Sequence, residues 1–516
     1  MEDRKQSSSD LGKRVFRGTI VIVFVSVLAK LSAFLAEAIN AAFLGTTYQS
    51  DAFYMVSSIQ QVIYPMLSIG IWKVFLPIYK DKITQNDRDG AFRIADQMIS
   101  FFTLVSLAAV ALLILLAGPV VSLVAPGFQG ETRRICIELV RISAPMYVFI
   151  VAAAIYASML QCHNKFFGSQ IREVASHLPV ILAALLFYRR FGIRAMAVAL
   201  ILGGALRLLV ELPFVDWGYR FRPDLHFGGP EFKLMLKRLP SALLSEGVQQ
   251  INTLIDRAMA SMFPEGAVSG MNYGHRLTNV FSGLLSSAVS TALFPQMVEL
   301  ISQRKERELS RLITKILNIF VLMMVPVTIA CVLFSRDLVV AVFERGAFRE
   351  ESVALTSGVF TFYSLGLLFV ASSTVVSNVF YGFGDTRTPL VIGIFNMVIN
   401  VILNLTLSHF MGVNGLALAT SLAAMIALAI RLFFVRRYAT LDWQALGIGF
   451  AKVLLASLIA CGGAYGLVTV LGLGVYLRLA VAAAVGILLY LVAVKLLRVA
   501  EMEDLVKILR RKIKKS

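Results

Sequence analysis

The chain has 516 residues, 58% of them hydrophobic and only 16% charged. Soluble domains run nearer a quarter charged, so this composition excludes a soluble globular enzyme. The formal net charge of +18 is therefore explained by a membrane surface before nucleic acid.

The first residues, MEDRKQSSSDLGKR, are polar and basic, with no small-residue cleavage site after a short apolar core. The first apolar stretch is read as a retained helix rather than a signal peptide. Runs long enough to cross the ~30 Å hydrocarbon layer, which takes roughly 20 helical residues, are expected near 15–44, 52–79, 94–117, 136–161, 166–187, 195–217 and 239–262. The series continues near 272–298, 312–335, 352–380, 388–410, 414–435, 446–470 and 476–497. With the N-terminus cytoplasmic, roughly two-thirds of the 49 Lys and Arg fall in cytoplasmic segments, which is the positive-inside asymmetry. The basic clusters are Arg4 to Arg17, Lys80 to Arg93, Arg220 to Arg238, Arg304 to Lys315 and Lys507 to Lys515. Arg189, Arg190 and Arg194 break the rule at the fifth and sixth spans. The basic loops set topology and attract anionic membrane lipid. The four cysteines are scattered and suggest neither a metal site nor a disulfide framework.

A faint internal repeat runs through these helices. Residues 75–85, FLPIYKDKITQ, align with 293–303, LFPQMVELISQ, so that Pro77 matches Pro295. Pro126-Gly127-Phe128 aligns with Gly346-Ala347-Phe348, and Asn164-Lys165 with Thr386-Arg387. A shift of six spans preserves orientation, so the repeat is parallel, and such halves place a substrate cavity at their interface. The expected architecture is an all-α integral membrane protein of about fourteen transmembrane helices. A cytoplasmic tail (1–14) precedes a first six-helix lobe (15–222) and a second (223–440). Two further helices (441–498) and a basic cytoplasmic tail (499–516) follow.

A charge at mid-span costs ~3 kcal/mol or more on insertion scales, so polar residues sharing one helical face mark a watery cavity. The first span carries Ser26, Lys30, Glu37 and Asn40 on one stripe. The corresponding seventh carries Glu246, Gln249, Gln250, Thr253, Asp256 and Arg257. The second has Ser57, Gln61, Tyr64 and Ser68; the eighth has Asn272, His275, Arg276, Asn279 and Ser286; the eleventh has Asn396, Asn400 and Asn404. Together they outline a polar lumen, against the blander reading that Lys30 with Glu37, or Asp256 with Arg257, only fixes helix packing. No phosphate loop, metal-ligand spacing or nucleophile elbow occurs. No cofactor is expected, and with no ATP-binding motif any uphill movement needs membrane potential, an ion of unspecified identity, or consumption of the product.

The stretch EGVQQINTLIDRAMASMFPEGAVSGMNYGHRLTNVFSGLLSSAVSTALFPQMVEL (246–300) resembles the MurJ (MviN) family of lipid II flippases. So do VFERGAF, FYGFGDTRTPL, NMVINVILNLTL and GVNGLALATSLAA within 342–426, with a looser match over most of the chain. The resemblance implies a member of the multidrug, oligosaccharide-lipid and polysaccharide exporter superfamily, with two six-helix lobes and two extra helices forming a groove for a polyprenyl tail. It implies a multi-pass protein of the bacterial inner membrane, both termini cytoplasmic, that moves a lipid-linked glycan and has membrane lipids and the cell-wall synthesis machinery as partners. Carried over by residue, it makes Arg257 a ligand of the diphosphate–sugar head group with Lys30 in the same cavity, and the polar stripe of the eighth span adds Arg276 and Asn272 as expected binding residues. Asp256 becomes a charge partner and Asp51 a gating acid, with Glu37 and Glu246 the remaining acids of the lumen. Lys30 stands where the family commonly has arginine, Ala36 where it usually has a second, and Tyr64 near a third. These departures fit a flippase for another lipid-linked oligosaccharide; a cation–drug antiporter on the same superfamily fold is a further alternative, against which the cation-containing stripes argue.

Overall fold

The computed structural model describes residues 24–215, 217–499 and 502. Among these the protein is all helical. Ten helices are long and apolar enough to cross a membrane, or twelve when each of two bent pairs counts as one span. Two more long helices, Pro230–Ala260 and Ala267–Ser302, have 31 and 36 residues. With them the total reaches the expected fourteen or so. Large apolar side chains on the outside confirm the solvent these helices are built for: Leu123 is 80% exposed, Phe410 81% and Val470 86%.

The chain divides into two compact units, Met1–Ser269 and Gly270–Ser516. The first contains α1 (Phe24–Leu44), α2 (Tyr48–Thr84), α3 (Arg88–Leu115), α4 (Ala117–Val124), α5 (Gly130–Ser143), α6 (Met146–Cys162), α7 (Phe166–Leu182), α8 (Tyr188–Phe191), α9 (Ile193–Leu209) and α10 (Pro230–Ala260). Its core is built from Phe75 and Tyr79 of α2, Met98 of α3, Ile155 of α6 and Phe232 of α10. Helix α10, read from the sequence as opening the second lobe, packs along α2. At Gly70 a Cβ would lie 2.6 Å from the Leu243 side chain and 3.3 Å from its Cα, so glycine there sets the close approach of the two helices. Arg194, which breaks the charge rule, is neutralised locally: its Nε lies 2.5 Å from Glu138 Oε1.

The second unit holds α11 (Ala267–Ser302, from Gly270 onward), α12 (Glu306–Leu333), α13 (Ser335–Phe343), α14 (Glu350–Ser364), α15 (Leu367–Gly382), α16 (Arg387–Met411), α17 (Val413–Val435), α18 (Trp443–Val470) and α19 (Val475–Leu496). Phe320 and Met324 of α12 meet Val376 and Phe380 of α15 in its main core. The two added helices dock on α12 through Val325, Val453, Ala456 and Val494.

Backbone geometry repeats between the units more strictly than sequence does. After α2, Asn86 N–H reaches Ile83 O and Asp87 N–H reaches Lys82 O; after α11, Arg304 reaches Ile301 and Lys305 reaches Leu300, all at 3.0–3.1 Å. Asn86 (φ 59°) and Arg304 (φ 54°) both take the left-handed conformation, completing one Schellman closure in each unit. The same closure follows α6 at Asn164 (φ 58°) and α15 at Gly384 (φ 76°). This corrects the register: Asn164 corresponds to Gly384, two residues before the Thr386 suggested by side-chain similarity.

Candidate functional site

Helix α2 begins with a capping box, Thr47 Oγ1 accepting from Ser50 N and Ser50 Oγ accepting from Thr47 N. In its first turn Asp51, 3% exposed, does the same for a distant helix. One carboxylate oxygen accepts Gly266 N–H at 2.7 Å; the other accepts Ser269 N–H at 2.8 Å and Ser269 Oγ–H at 2.7 Å. These are amides at the start of α11, which have no helical acceptor. Glu265 returns the favour, its Oε1 accepting Tyr48 N–H at 2.7 Å. The two segments thus cap each other, with a carboxylate at each positive helix end. Gly266 makes this possible: its φ is +92° and a Cβ would lie 2.8 Å from Thr46 O.

Farther along α2, Ser58 and Gln61 face α10. The Arg257 guanidinium, 3% exposed, donates to Ser58 Oγ and, at 3.5 Å, to Gln61 Oε1. The serine is Ser58 rather than the neighbouring Ser57 on the expected stripe, and it is itself held by Tyr54 O at 2.5 Å. Both of these acceptors are neutral, and they orient the guanidinium. Asp256 beside it is equally buried, at 5%. On α1, Glu37 (7%) and Asn40 (4%) are buried, whereas Lys30 is exposed. Seven residues of helix separate Lys30 from Glu37, roughly 10 Å of rise, so the pair shares a face without touching. The side chains of Glu246, Gln249 and Ser286 lie outside the described residues.

In the second unit, Asn272 is buried (1%) and Arg276 half-buried, one turn apart on α11. Between them the His275 ring lies 5.5 Å from the Tyr363 ring and 3.3 Å from the Asn279 amide. Two members of the asparagine stripe of α16 pack against a neighbouring helix rather than line a lumen. Asn400 and Asn404 have no exposure; Asn404 bonds Asn400 at 3.0 Å, and Asn400 bonds Thr420 of α17 at 3.3 Å. They seal the seam between α16 and α17. Against α12, α18 and α19 lies an apolar cavity of about 470 Å³, lined by residues such as Pro326, Cys331, Phe334, Leu479, Ile487 and Tyr490.

Sequence reasoning missed a group of charges in the first unit. Arg172 and Glu173 on α7, with Arg207 on α9 and Glu211 just beyond it, interlock beside Tyr64 of α2. The available signal was the i, i+4 pair Arg207–Glu211 inside an expected span, a costly arrangement unless it has partners.

The family model described as lipid II flippase MurJ matches residues 40–484. This chain belongs to the MurJ lipid II flippase family. A probable lipid II flippase of Rhizobium meliloti is 30% identical over 434 residues, covering 81% of this chain and 78% of the relative. One from Rickettsia prowazekii is 25% identical over 453 residues, covering 86% and 88%. The lipid II flippase MurJ of Burkholderia cenocepacia is 26% identical over 422 residues, covering 80% and 81%. In fold, the chain is similar to a lipid II flippase MurJ structure in an inward closed conformation, with TM-score 0.81, 22% identity and coverage of 94% and 100%. An inward-facing multidrug resistance transporter of the MOP superfamily gives TM-score 0.67 at 16% identity, covering 81% and 97%. The MurJ family is one of transporters rather than enzymes.

Proposed function

We propose that this chain flips lipid II, the diphosphate-linked peptidoglycan precursor, from the cytoplasmic to the external leaflet of a bacterial inner membrane by alternating access. The family match over 40–484 carries this reading, and Arg257 gives it a chemical anchor. Its buried guanidinium is suited to a diphosphate, whose oxygens match its fork. Lys30, Asn272 and Arg276 are assigned to the same head group, with Asp256, Glu37 and Glu246 balancing charge. Asp51 and Glu265 form the clasp that opens and closes the external end. The apolar cavity against α18 and α19 holds part of the polyprenyl tail, whose burial is favourable by about 0.8 kcal/mol per methylene.

Driving force comes from membrane potential or an ion, with use of the product by cell-wall synthesis outside. Both termini lie in the cytoplasm. The test is rescue of cells depleted of their own lipid II flippase. Growth with the parent chain and lysis with a normally expressed Arg257→Ala variant are expected. A correctly inserted parent that fails to rescue would move the substrate to another lipid-linked glycan, and rescue by both would remove Arg257 from the site.

A further inference from the structure

The buried charges around Tyr64 are arranged as a site rather than as a packed seam. Arg207 places Nη2 3.1 Å from Glu173 Oε2 and Nη1 3.3 Å from Oε1, donates to Ser176 Oγ at 3.2 Å, and lies 4.2 Å over the Tyr64 ring. The Tyr64 hydroxyl donates to Glu173 Oε1 at 2.6 Å. Arg172 lies 3.4 Å from both Glu173 and Glu211 and donates to Ala153 O at 3.2 Å. Two cations and two anions balance.

A structural network in a low-dielectric interior closes most of its polar valences, since each open one is expensive. This one does not close. Glu211 has no exposure, yet its Oε2 has no hydrogen-bond partner, and Arg172 Nε, ion-paired with Glu173 at 3.4 Å, makes no hydrogen bond either. One side of the cluster is open, because 31% of the Glu173 side chain remains exposed. Its position matters too. Tyr64 follows Ser58 and Gln61 on α2 at spacings of six and three, so successive turns of one helix carry contacts for Arg257 and then Arg207.

We propose that this cluster is a second anion-binding station, where Arg172 and Arg207 exchange Glu211 and Glu173 for the diphosphate of the lipid-linked substrate. The inference rests on the diphosphate-lipid reading above. Two guanidiniums with a spare N–H match the several acceptor oxygens of a diphosphate. In the empty protein the two carboxylates stand in for it, so that no uncompensated positive charge is left in the apolar layer. Their competition also keeps the hold weak enough for the head group to leave.

The test uses the full chain in lipid nanodiscs with undecaprenyl diphosphate, undecaprenyl monophosphate and inorganic pyrophosphate as probes. The parent is expected to prefer the diphosphate lipid. Arg172→Gln with Arg207→Gln should weaken it by about tenfold or more, and Glu211→Gln, which removes a competing anion, should tighten it severalfold. Should the double variant unfold, Glu211→Gln and Arg207→Lys carry the test, the lysine keeping charge but losing the fork. Unchanged affinity in folded variants, or weakening by Glu211→Gln, would reduce the cluster to packing and overturn the proposal. Pyrophosphate competing on equal terms would overturn its assignment to the lipid head group. Failure of the parent to rescue cells, with Glu211→Gln still tightening diphosphate binding, would count against lipid II but uphold the station. Rescue lost only in Arg257→Ala, with cluster variants binding as the parent does, would do the reverse.

Discussion

The Tyr490 hydroxyl donates to the main-chain oxygen of Leu322 at 2.6 Å. That oxygen is free because Pro326, four residues on in α12, has no N–H to give it. A proline inside a membrane helix is tolerated where a neighbour satisfies the released carbonyl, and here the neighbour is α19. Tyr490→Phe leaves the carbonyl buried and unmet. The expected loss is about 1–3 kcal/mol of stability, read as a lower thermal unfolding midpoint and faster amide exchange along α19. An unchanged midpoint and unchanged exchange would show that α19 does not depend on this bond.

The Asp51 clasp makes a different prediction. Asp51→Asn keeps one accepting oxygen but turns an amide N–H₂ toward a backbone donor, so about 1–2 kcal/mol of local stability should go. Amide exchange at Gly266 and Ser269 is the direct probe. Protection equal to the parent's would mean that other contacts hold the segment. Gly266→Ala should damage the same place, because its backbone is left-handed and its Cβ meets Thr46 O.

Arg257 separates charge from geometry. Arg257→Lys retains the cation but loses the fork, and flipping is expected to fall roughly tenfold. Arg257→Ala should abolish it. Ser58→Ala, which removes one orienting acceptor, should fall between the parent and the lysine variant in a head-group accessibility assay in cells. Equal activity of the lysine and arginine forms would leave only a point-charge role.

Asp385, in the connection between α15 and α16, responds to acid. Hydrogen bonds from Thr388, its side chain first and its backbone next, hold the carboxyl below the usual carboxylate range, and Tyr438 donates to it at 3.1 Å. Because the folded value lies below the unfolded one, its stabilisation is complete above the ordinary ~3.9. That stabilisation is lost as pH falls through the depressed folded value. Asp385→Asn should therefore flatten the acid limb of the stability–pH curve below about pH 4 and leave the slope between pH 6 and 8 unchanged. Identical acid limbs would assign the loss of stability to other carboxyls.

The apolar runs made the helices legible, because crossing a bilayer demands length and composition that little else does. The ends of α2 and α11 were legible as a repeat through Pro77 and Pro295 and the residues that follow. The register at Asn164 was not, because a left-handed closure accepts asparagine, arginine or glycine, so the backbone repeats where side chains do not. Arg257 was found with its helix face, but Ser58 was displaced by one position. The Arg172–Glu173–Arg207–Glu211 cluster stayed hidden because its pairings depend on how α7 and α9 cross. The Asp51 clasp joins residues 215 positions apart, which no local pattern encodes.

The matched closures also constrain how such a chain can diverge. From Asn86 to Arg304, and from the α3–α4 junction to the α12–α13 junction, corresponding backbone bonds stand 218 residues apart; from Phe128 to Phe348 and on to Gly192 and Gly412 they stand 220 apart. Over that stretch the change of two residues falls between Leu338 and Arg345. Each half has therefore been free to change its spelling but held to its metre. Insertions in the helices would put every later turn out of step, whereas the stretch that ends α13 is where the scaffold has already absorbed one.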